Sequence, residues 1–136
     1  MAILDWDEWY ETGILSIDHE HHTLFDALNR MHEAIVLDEG EAKVRRALDY
    51  LVDYTATHFR DEELRLTAIG YPELAEHQAE HTKLLEQVAE FKATYDADPS
   101  AINANRLVLF LVEWIVRHIN EMDLRYIDAM KAKGVR

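Results

Sequence analysis

Apolar residues recur every three or four positions along most of this chain, which is the spacing of an α-helix with one buried face. The pattern predicts four helices, at about residues 18–38, 41–69, 72–95 and 101–131. Gly and Pro are sparse and fall at the ends of these segments, as Gly70 and Pro72 do. Because short connections make neighbouring helices antiparallel, we expect an all-α, up-down-up-down antiparallel four-helix bundle.

The segment before the first helix, residues 1–16, lacks a helical period but contains Trp6, Trp9 and Tyr10. Three large aromatic side chains are costly to leave in water, so we expect an N-terminal aromatic arm packed on the bundle. A chain of 136 residues is long enough for one domain with a proper core and short for two. We therefore interpret residues 1–136 as a single domain.

Composition and charge narrow the classes of function. The formal net charge of −13 argues against nucleic acid and anionic membrane surfaces as partners, since phosphates attract basic patches. No apolar run approaches the roughly 20 residues that span a bilayer, and the acidic, aromatic N-terminus lacks the features of a signal peptide. The absence of cysteine excludes disulfides and thiolate metal sites. We expect a cytoplasmic protein without membrane insertion.

Polar residues interrupt the apolar stripes of the second and third predicted helices. His58 and Glu62 lie four positions apart, as do His77 and His81, and each pair takes places that Leu or Ile would normally hold. Burying an unpaired polar group costs about 1–3 kcal/mol, so something must compensate these side chains. The turn at Gly70 lies at comparable distances from both pairs along the helices, which lets all four side chains share one layer.

The first and fourth predicted helices add polar residues at the same end of the bundle. A single histidine in an apolar stripe is more often a hydrogen-bonded core residue than a ligand. Five histidines and two carboxylates that converge at one depth, however, would form an implausible buried network without a metal. The predicted metal ligands are His21, His58, Glu62, His77, His81, His118 and Asp123.

Seven ligands are too many for one ion. Imidazole and carboxylate groups without thiolates suit iron, manganese, zinc or copper. Two ions could share both carboxylates and an oxide or hydroxide. One ion would then bind three histidines and the other two. The ion with two histidines would keep an open position for a small ligand.

The spacing of five between His118 and Asp123 corresponds to about 140° around an ideal helix. Either the two side chains flank the seam of a regular helix, which we favour, or the helix widens there into a π-type turn.

Three other histidines are not expected to be ligands. His19 and His22 flank His21 in sequence and project away from it. His32 lies about 16 Å from His21 along the helix axis, and we expect it to be a core histidine with a hydrogen-bond partner.

Four motifs cover the domain in order, and they are IDHEHHTLF at 17–25, HFRDEE at 58–63, GYPELAEHQAEH at 70–81 and WIVRHINEMD at 114–123. With these motifs the chain resembles the hemerythrin family, and within it the bacterial single-domain members, the bacteriohemerythrins. The resemblance implies a non-haem di-iron centre with an oxide or hydroxide bridge that binds dioxygen reversibly. It implies that Glu62 and Asp123 bridge the two irons. It also implies that the coordinatively full iron is held by His77, His81 and His118, and the open iron by His21 and His58.

The resemblance further implies a dry dioxygen pocket, because water and protons promote oxidation of the irons. By position, the pocket lining is predicted to be Leu24, Phe59, Trp114, Ile115 and Ile119. Two departures from the family are visible, since Glu20 stands where Gln is frequent and Leu66 where Met is frequent. Neither departure removes a ligand.

The predicted function is a dioxygen carrier or store rather than an enzyme, with delivery to an oxygen-consuming enzyme as one use. The alternatives are oxygen or redox sensing, iron handling, and a di-iron enzyme that reduces peroxide or nitric oxide. We rank catalysis last, because di-iron oxygenases use more carboxylates and the sequence shows no separate acid–base group or substrate pocket. We expect a monomer, since no large exposed apolar stripe is evident.

Overall fold

The structure, a computed structural model, describes residues 3–101 and 103–135. Most of this part of the chain lies in four long helices, α1 (Leu15–Val36), α2 (Glu41–Ala68), α3 (Leu74–Ala97) and α4 (Ala104–Glu121). The other elements are a short α5 (Ile127–Ala132) and three 3₁₀ turns, Glu8–Tyr10, Pro99–Ala101 and Asp123–Tyr126. No strand occurs in the described ranges, and the predicted all-α four-helix bundle is confirmed.

The long helices pack side by side around a common interior. α1 packs against α2 and α4, and α2 also packs against α3. The backbones of α3 and α4 come close to each other at fewer positions than those of the other neighbouring pairs. None of the described helices has both the length and the hydropathy needed to cross a membrane.

The chain reverses between α2 and α3 at Gly70, whose φ of 65° lies in the left-handed region that glycine adopts without strain. The Gly70 N–H donates to the carbonyl of Thr67 (3.1 Å), and the Tyr71 N–H donates to that of Leu66 (3.0 Å). These two bonds satisfy carbonyls of the last turn of α2 and end the helix. Because α3 then runs back along α2, polar residues at comparable distances from the turn meet.

Two apolar clusters lie on either side of the polar layer. The larger occupies the half of the bundle toward the α1–α2 connection, and its members include Phe25, Leu48, Leu84 and Leu111. The smaller lies toward the α2–α3 turn and contains Ile14, Ile17, Leu66, Tyr71, Tyr126 and Met130. Because apolar side chains cover the layer from both directions, its polar groups are cut off from water.

The fourth helix differs from the prediction. Instead of one helix at about 101–131, the structure has α4, then a 3₁₀ turn, then α5. The carbonyl of His118 accepts an ordinary helical bond from the Met122 N–H (2.8 Å), after which Met122 adopts φ −110° and ψ −52° and the chain tightens. Our preference for a regular helix through Asp123 is therefore wrong, and a π-type turn does not describe this segment either. The break brings the Asp123 carboxylate into the interior, where it is fully buried.

The N-terminal arm is shorter than predicted, because α1 already begins at Leu15. Trp6 packs on Phe25 with ring centroids 5.1 Å apart, and Tyr10 packs on the same ring. Trp9, in contrast, is 76% exposed, so the expectation that all three aromatic residues pack on the bundle is wrong for this one. Consecutive residues of a 3₁₀ turn point about 120° apart, and Trp9 and Tyr10 therefore cannot both face the bundle.

Candidate metal centre

The structure brings all seven predicted ligands into one buried layer. α1 contributes His21, α2 contributes His58 and Glu62, α3 contributes His77 and His81, α4 contributes His118, and the 3₁₀ turn after it contributes Asp123. None of these residues is more than 6% exposed. Because side chains four residues apart lie on the same face of a helix, α2 and α3 can each direct two ligands into the layer.

The ligand atoms form two groups, and within each group they lie within 4.8 Å of one another. The first, which we name the three-histidine group, consists of Glu62, His77, His81 and His118. The second, the two-histidine group, consists of His21, His58, Glu62 and Asp123. Each group combines imidazole nitrogens with carboxylate oxygens, a donor set that suits a divalent transition metal better than Ca²⁺ or Mg²⁺.

Glu62 belongs to both groups and presents a different oxygen to each. Its Oε1 lies 2.5 Å from His77 Nε2 and 3.1 Å from His81 Nε2. Its Oε2 lies 3.6 Å from His58 Nε2. One carboxylate can therefore reach two ions that lie side by side.

Asp123 has the same relationship to the two groups. Its Oδ1 lies 3.0 Å from His77 Nε2 and 3.1 Å from His118 Nε2, on the side of the three-histidine group. Its Oδ2 lies 3.1 Å from His21 Nε2, on the side of the two-histidine group. The break at the end of α4 thus supplies a second carboxylate that two ions can share.

Hydrogen bonds among these side chains do not satisfy the layer. Both ring nitrogens of His21 and both carboxylate oxygens of Asp123 are buried without a hydrogen-bond partner. The His21 ring and the Asp123 carboxylate lie close together but are not oriented for a hydrogen bond with each other. His81 Nε2 and His118 Nε2 lie 3.0 Å apart. Two nitrogens bound to one ion at about 2.1 Å and at right angles would also lie about 3.0 Å apart. The donor atoms fit a pair of metal ions better than they fit one another.

The layer holds opposite charges in an apolar interior. Burial lowers the pKa of His21 and His77, but the carboxylates of Asp123 and Glu62 outweigh it and raise these pKa values to about 9 and about 10. Burial raises the pKa of the Glu62 and Asp123 carboxyls, and the negative charge of Glu62 raises that of Asp123 further. The surrounding histidines outweigh these effects and hold both pKa values well below the usual range. Two buried carboxylate anions need cations beside them, either protons on the imidazoles or metal ions.

Further carboxylates hold the outer nitrogens of two ligands. Glu20 Oε1 lies 2.7 Å from His58 Nδ1, and Arg65 donates to the other Glu20 oxygen. Burial raises the pKa of Glu20, but His58 and Arg65 together lower it to about 2. Glu63 Oε2 lies 2.7 Å from His81 Nδ1. A carboxylate at Nδ1 fixes the orientation and tautomer of a histidine so that Nε2 is free to bind a metal.

The sequence pattern alone does not single out these outer residues, nor Tyr126, whose hydroxyl donates to Glu62 Oε2 (2.9 Å). Glu20 and Glu63 each adjoin a ligand in sequence, and that adjacency is the one signal available for them. Tyr126 lies in the apolar stripe, where a large aromatic residue is expected as ordinary core.

Two of the side chains predicted to line a dioxygen pocket pack against the three-histidine group. The Phe59 ring stacks on His81 with centroids 3.7 Å apart, and the Trp114 ring stacks on His118 at 4.5 Å. The other predicted lining residues are at most 3% exposed, and they are Leu24, Ile115 and Ile119. The assignment of all five to one pocket stays a prediction.

The remaining histidines lie outside both groups. His19 is exposed, and so is His22, which stacks on Trp6 with centroids 3.7 Å apart. His32 is half-buried, and its Nδ1 is buried without a hydrogen-bond partner in the described part of the chain. The expectation of a hydrogen-bond partner is therefore wrong for this atom.

Known proteins are similar to this chain in sequence and in fold. Residues 12–130 match the family model described as hemerythrin HHE cation binding domain. The chain is 30% identical over 133 residues to the bacteriohemerythrin of Methylococcus capsulatus, covering 97% of this chain and 100% of that protein. It is 34% identical over 129 residues to the bacteriohemerythrin of Clostridium acetobutylicum, covering 90% and 98%. A crystal structure of wild-type hemerythrin has a TM-score of 0.86 at 30% identity, covering 95% of this chain and 98% of that one.

Proposed function

We propose, because the chain belongs to the hemerythrin family, that it binds dioxygen reversibly at a non-haem di-iron centre. The observation that carries the proposal is the unequal division of the histidines, with three in one ligand group and two in the other. The carboxylates between them each present one oxygen to either group. Two ions that share Glu62 and Asp123 would receive unequal numbers of protein ligands. The ion with fewer ligands has room for a small molecule.

In the proposed centre, Glu62 and Asp123 would each be shared by the two irons, with an oxide or hydroxide as the further shared ligand. The irons are divided between two sets of histidines, His77, His81 and His118 for one and His21 and His58 for the other. When bound, the iron pair supplies the redox chemistry and the open coordination position that dioxygen needs.

The role of the protein in this proposal is to hold the ligands and exclude water. Glu20 and Glu63 fix the rings of His58 and His81 through their outer nitrogens. The apolar clusters on both sides of the layer would keep protons and solvent from a bound iron pair. A dry site favours release of dioxygen unchanged over irreversible oxidation of the irons.

We propose a carrier or store rather than an enzyme. The donor groups contain five histidines and two carboxylates, whereas di-iron enzymes of four-helix bundles use two Glu-x-x-His motifs and further Glu residues. Delivery of dioxygen to an oxygen-consuming enzyme is a use that follows from this role. A monomeric state and a cytoplasmic location remain predictions from the sequence.

An anaerobic titration tests the proposal. The reduced, metal-free protein is titrated with ferrous iron, and the visible spectrum is recorded before oxygen, after oxygen and after degassing. We expect two irons per chain and a colour that forms with oxygen and bleaches on degassing through several cycles.

Two variants make the titration specific. His77→Gln loses a proposed ligand and is expected to bind less iron, whereas His32→Gln changes a histidine outside both groups and should behave like the parent. A colour that forms once and decays to a stable ferric state would contradict reversible binding.

A further inference from the structure

A dioxygen carrier of the proposed kind needs a route for electrons. A ferrous centre that meets dioxygen is slowly lost to the ferric form, which no longer binds it. Returning the centre to the working state takes two electrons, one for each ferric ion. The chain has no cysteine that could supply them as a thiol, so the donor is a separate molecule.

The seam between α3 and α4 brings one ligand of the layer close to the surface. A groove of about 350 Å³ follows this seam, and its lining includes Lys83, Trp114, Arg117 and His118. It lies between two helices whose backbones come close at few positions. His118, at 6% exposure, is the most exposed of the seven proposed ligands.

Trp114 connects this groove with the three-histidine group. Its half-buried indole is nearly parallel to the His118 ring, with an interplanar angle of 14° and centroids 4.5 Å apart. The Nε2 atom of His118 faces the layer, 3.1 Å from Asp123 and 3.0 Å from His81. Two aromatic rings in contact therefore reach from the groove to the metal site.

The two-histidine group is more enclosed. His21 is fully buried, and His58 is 2% exposed with its Nδ1 held against Glu20. The rings of His21 and His58 contact each other with an interplanar angle of 74°, and the His58 ring contacts Phe59 with an interplanar angle of 49°. Neither contact is a parallel stack. Electrons from outside thus have a shorter aromatic path to the three-histidine group.

A second groove, between α2 and α3, reaches His81 and is the weaker candidate. Phe59 stacks on His81 there with an interplanar angle of 3°. Phe59 is only 2% exposed, however, and a phenyl ring carries charge less readily than an indole. The groove also presents the Glu63 carboxylate, which is bonded to His81.

We propose that Trp114 and His118 form the electron-entry route of the centre, and that a reduced one-electron donor uses it from the α3–α4 groove. This inference rests on the proposed di-iron function. In each step the donor would lose one electron, the two rings would carry it inward, and one ferric ion would be reduced to the ferrous state. Two such steps restore the ferrous pair.

The absence of cysteine in the chain allows a direct test with a photoreducible ruthenium complex on a single introduced thiol. Lys83→Cys places the label at the α3–α4 groove. Thr57→Cys places it on an exposed residue next to His58, beside the two-histidine group. Flash-induced reduction of the ferric, iron-loaded protein is then timed from both labels, with Trp114 intact and in Trp114→Leu and Trp114→Phe.

From the Lys83→Cys label, Trp114→Leu is expected to slow electron transfer roughly tenfold, and Trp114→Phe, which keeps a stacked ring, less. From the Thr57→Cys label, the same substitutions should leave the rate unchanged. This label is the matched control for damage to the centre, since a general change in its potential would slow both rates.

Equal slowing from both labels, or no effect of Trp114→Leu from either, would overturn the inference. Iron content and the ferric spectrum are measured on the same samples. Protein that fails to hold two irons would contradict the proposed function itself, whereas two irons with Trp114-independent rates would contradict the electron route alone.

Discussion

Tyr126 donates its hydroxyl to Oε2 of Glu62 across 2.9 Å, and both residues are fully buried. The tyrosine belongs to the same 3₁₀ turn that supplies Asp123. One break in the fourth helix therefore provides a proposed ligand and also a group that fixes another. Burial and the nearby carboxylates raise the pKa of Tyr126 well above its ordinary value, so the hydroxyl remains a donor.

Tyr126→Phe is expected to lower the free energy of unfolding of the metal-free protein by about 2 kcal/mol, because it removes a hydrogen bond to a buried charge. Chemical denaturation measures the loss. Tyr71→Phe is the matched control, since the Tyr71 hydroxyl donates over the same 2.9 Å to Glu73, which is exposed. Its loss should stay within about 0.5 kcal/mol. Equal losses in the two variants would show that the buried bond has no special weight.

Glu20→Ala is expected to weaken metal binding by about 10- to 100-fold, because it frees the His58 ring that the carboxylate orients. Competition with a chelator for ferrous iron gives the affinity. Glu20→Gln keeps an acceptor for His58 and should lose less. Glu33→Ala, an exposed glutamate on the same helix, is the control and should bind as the parent does. The role of Glu20 would be refuted by parent-like affinity in Glu20→Ala.

The sequence predicts most of the bundle, because helical periodicity is a local property. His58 with Glu62 and His77 with His81 are each four residues apart, so a helix alone brings each pair to one face. Gly70 then marks the reversal that sets the two pairs opposite one another. Only these local rules and short connections are needed to expect a shared layer.

Other features depend on contacts that periodicity does not contain. The helix break at Met122 lies in a stretch with neither Gly nor Pro, so no local breaker announces that Asp123 turns inward. Glu20 sits outside the apolar stripe, and its contacts with His58 and Arg65 arise from a neighbouring helix. The exposure of Trp9 follows from the direction of a 3₁₀ turn, which composition cannot specify.

Trp6→Ala is expected to destabilise the protein by about 2 kcal/mol, because Trp6 anchors the arm against His22 and Phe25. Trp9→Ala removes the same side chain from a position that is 76% exposed, and it should change stability by less than about 0.5 kcal/mol. Thermal unfolding of both variants compares them directly. A larger loss in Trp9→Ala would reverse the assignment of the anchor.

The metal-free protein is expected to lose stability as pH rises from about 7 to 10. Burial lowers the pKa of His21 and His77, but the carboxylates around them raise these values to about 9 and about 10 in the folded state. In an unfolded chain the pKa of histidine is about 6.5. A histidine whose pKa is raised on folding stabilises the folded state fully at pH values below its unfolded pKa. This stabilisation disappears as the pH rises through its folded pKa.

The unfolding temperature, measured across this range, should therefore fall in the metal-free protein. His77→Gln removes one of the two responsible rings and should flatten the decline, whereas the control His32→Gln should not. With iron bound the trend should weaken or reverse, since a ring must be neutral to bind a metal and higher pH then favours the loaded state. A decline equally steep in His77→Gln and in the parent would show that the buried layer is not its source.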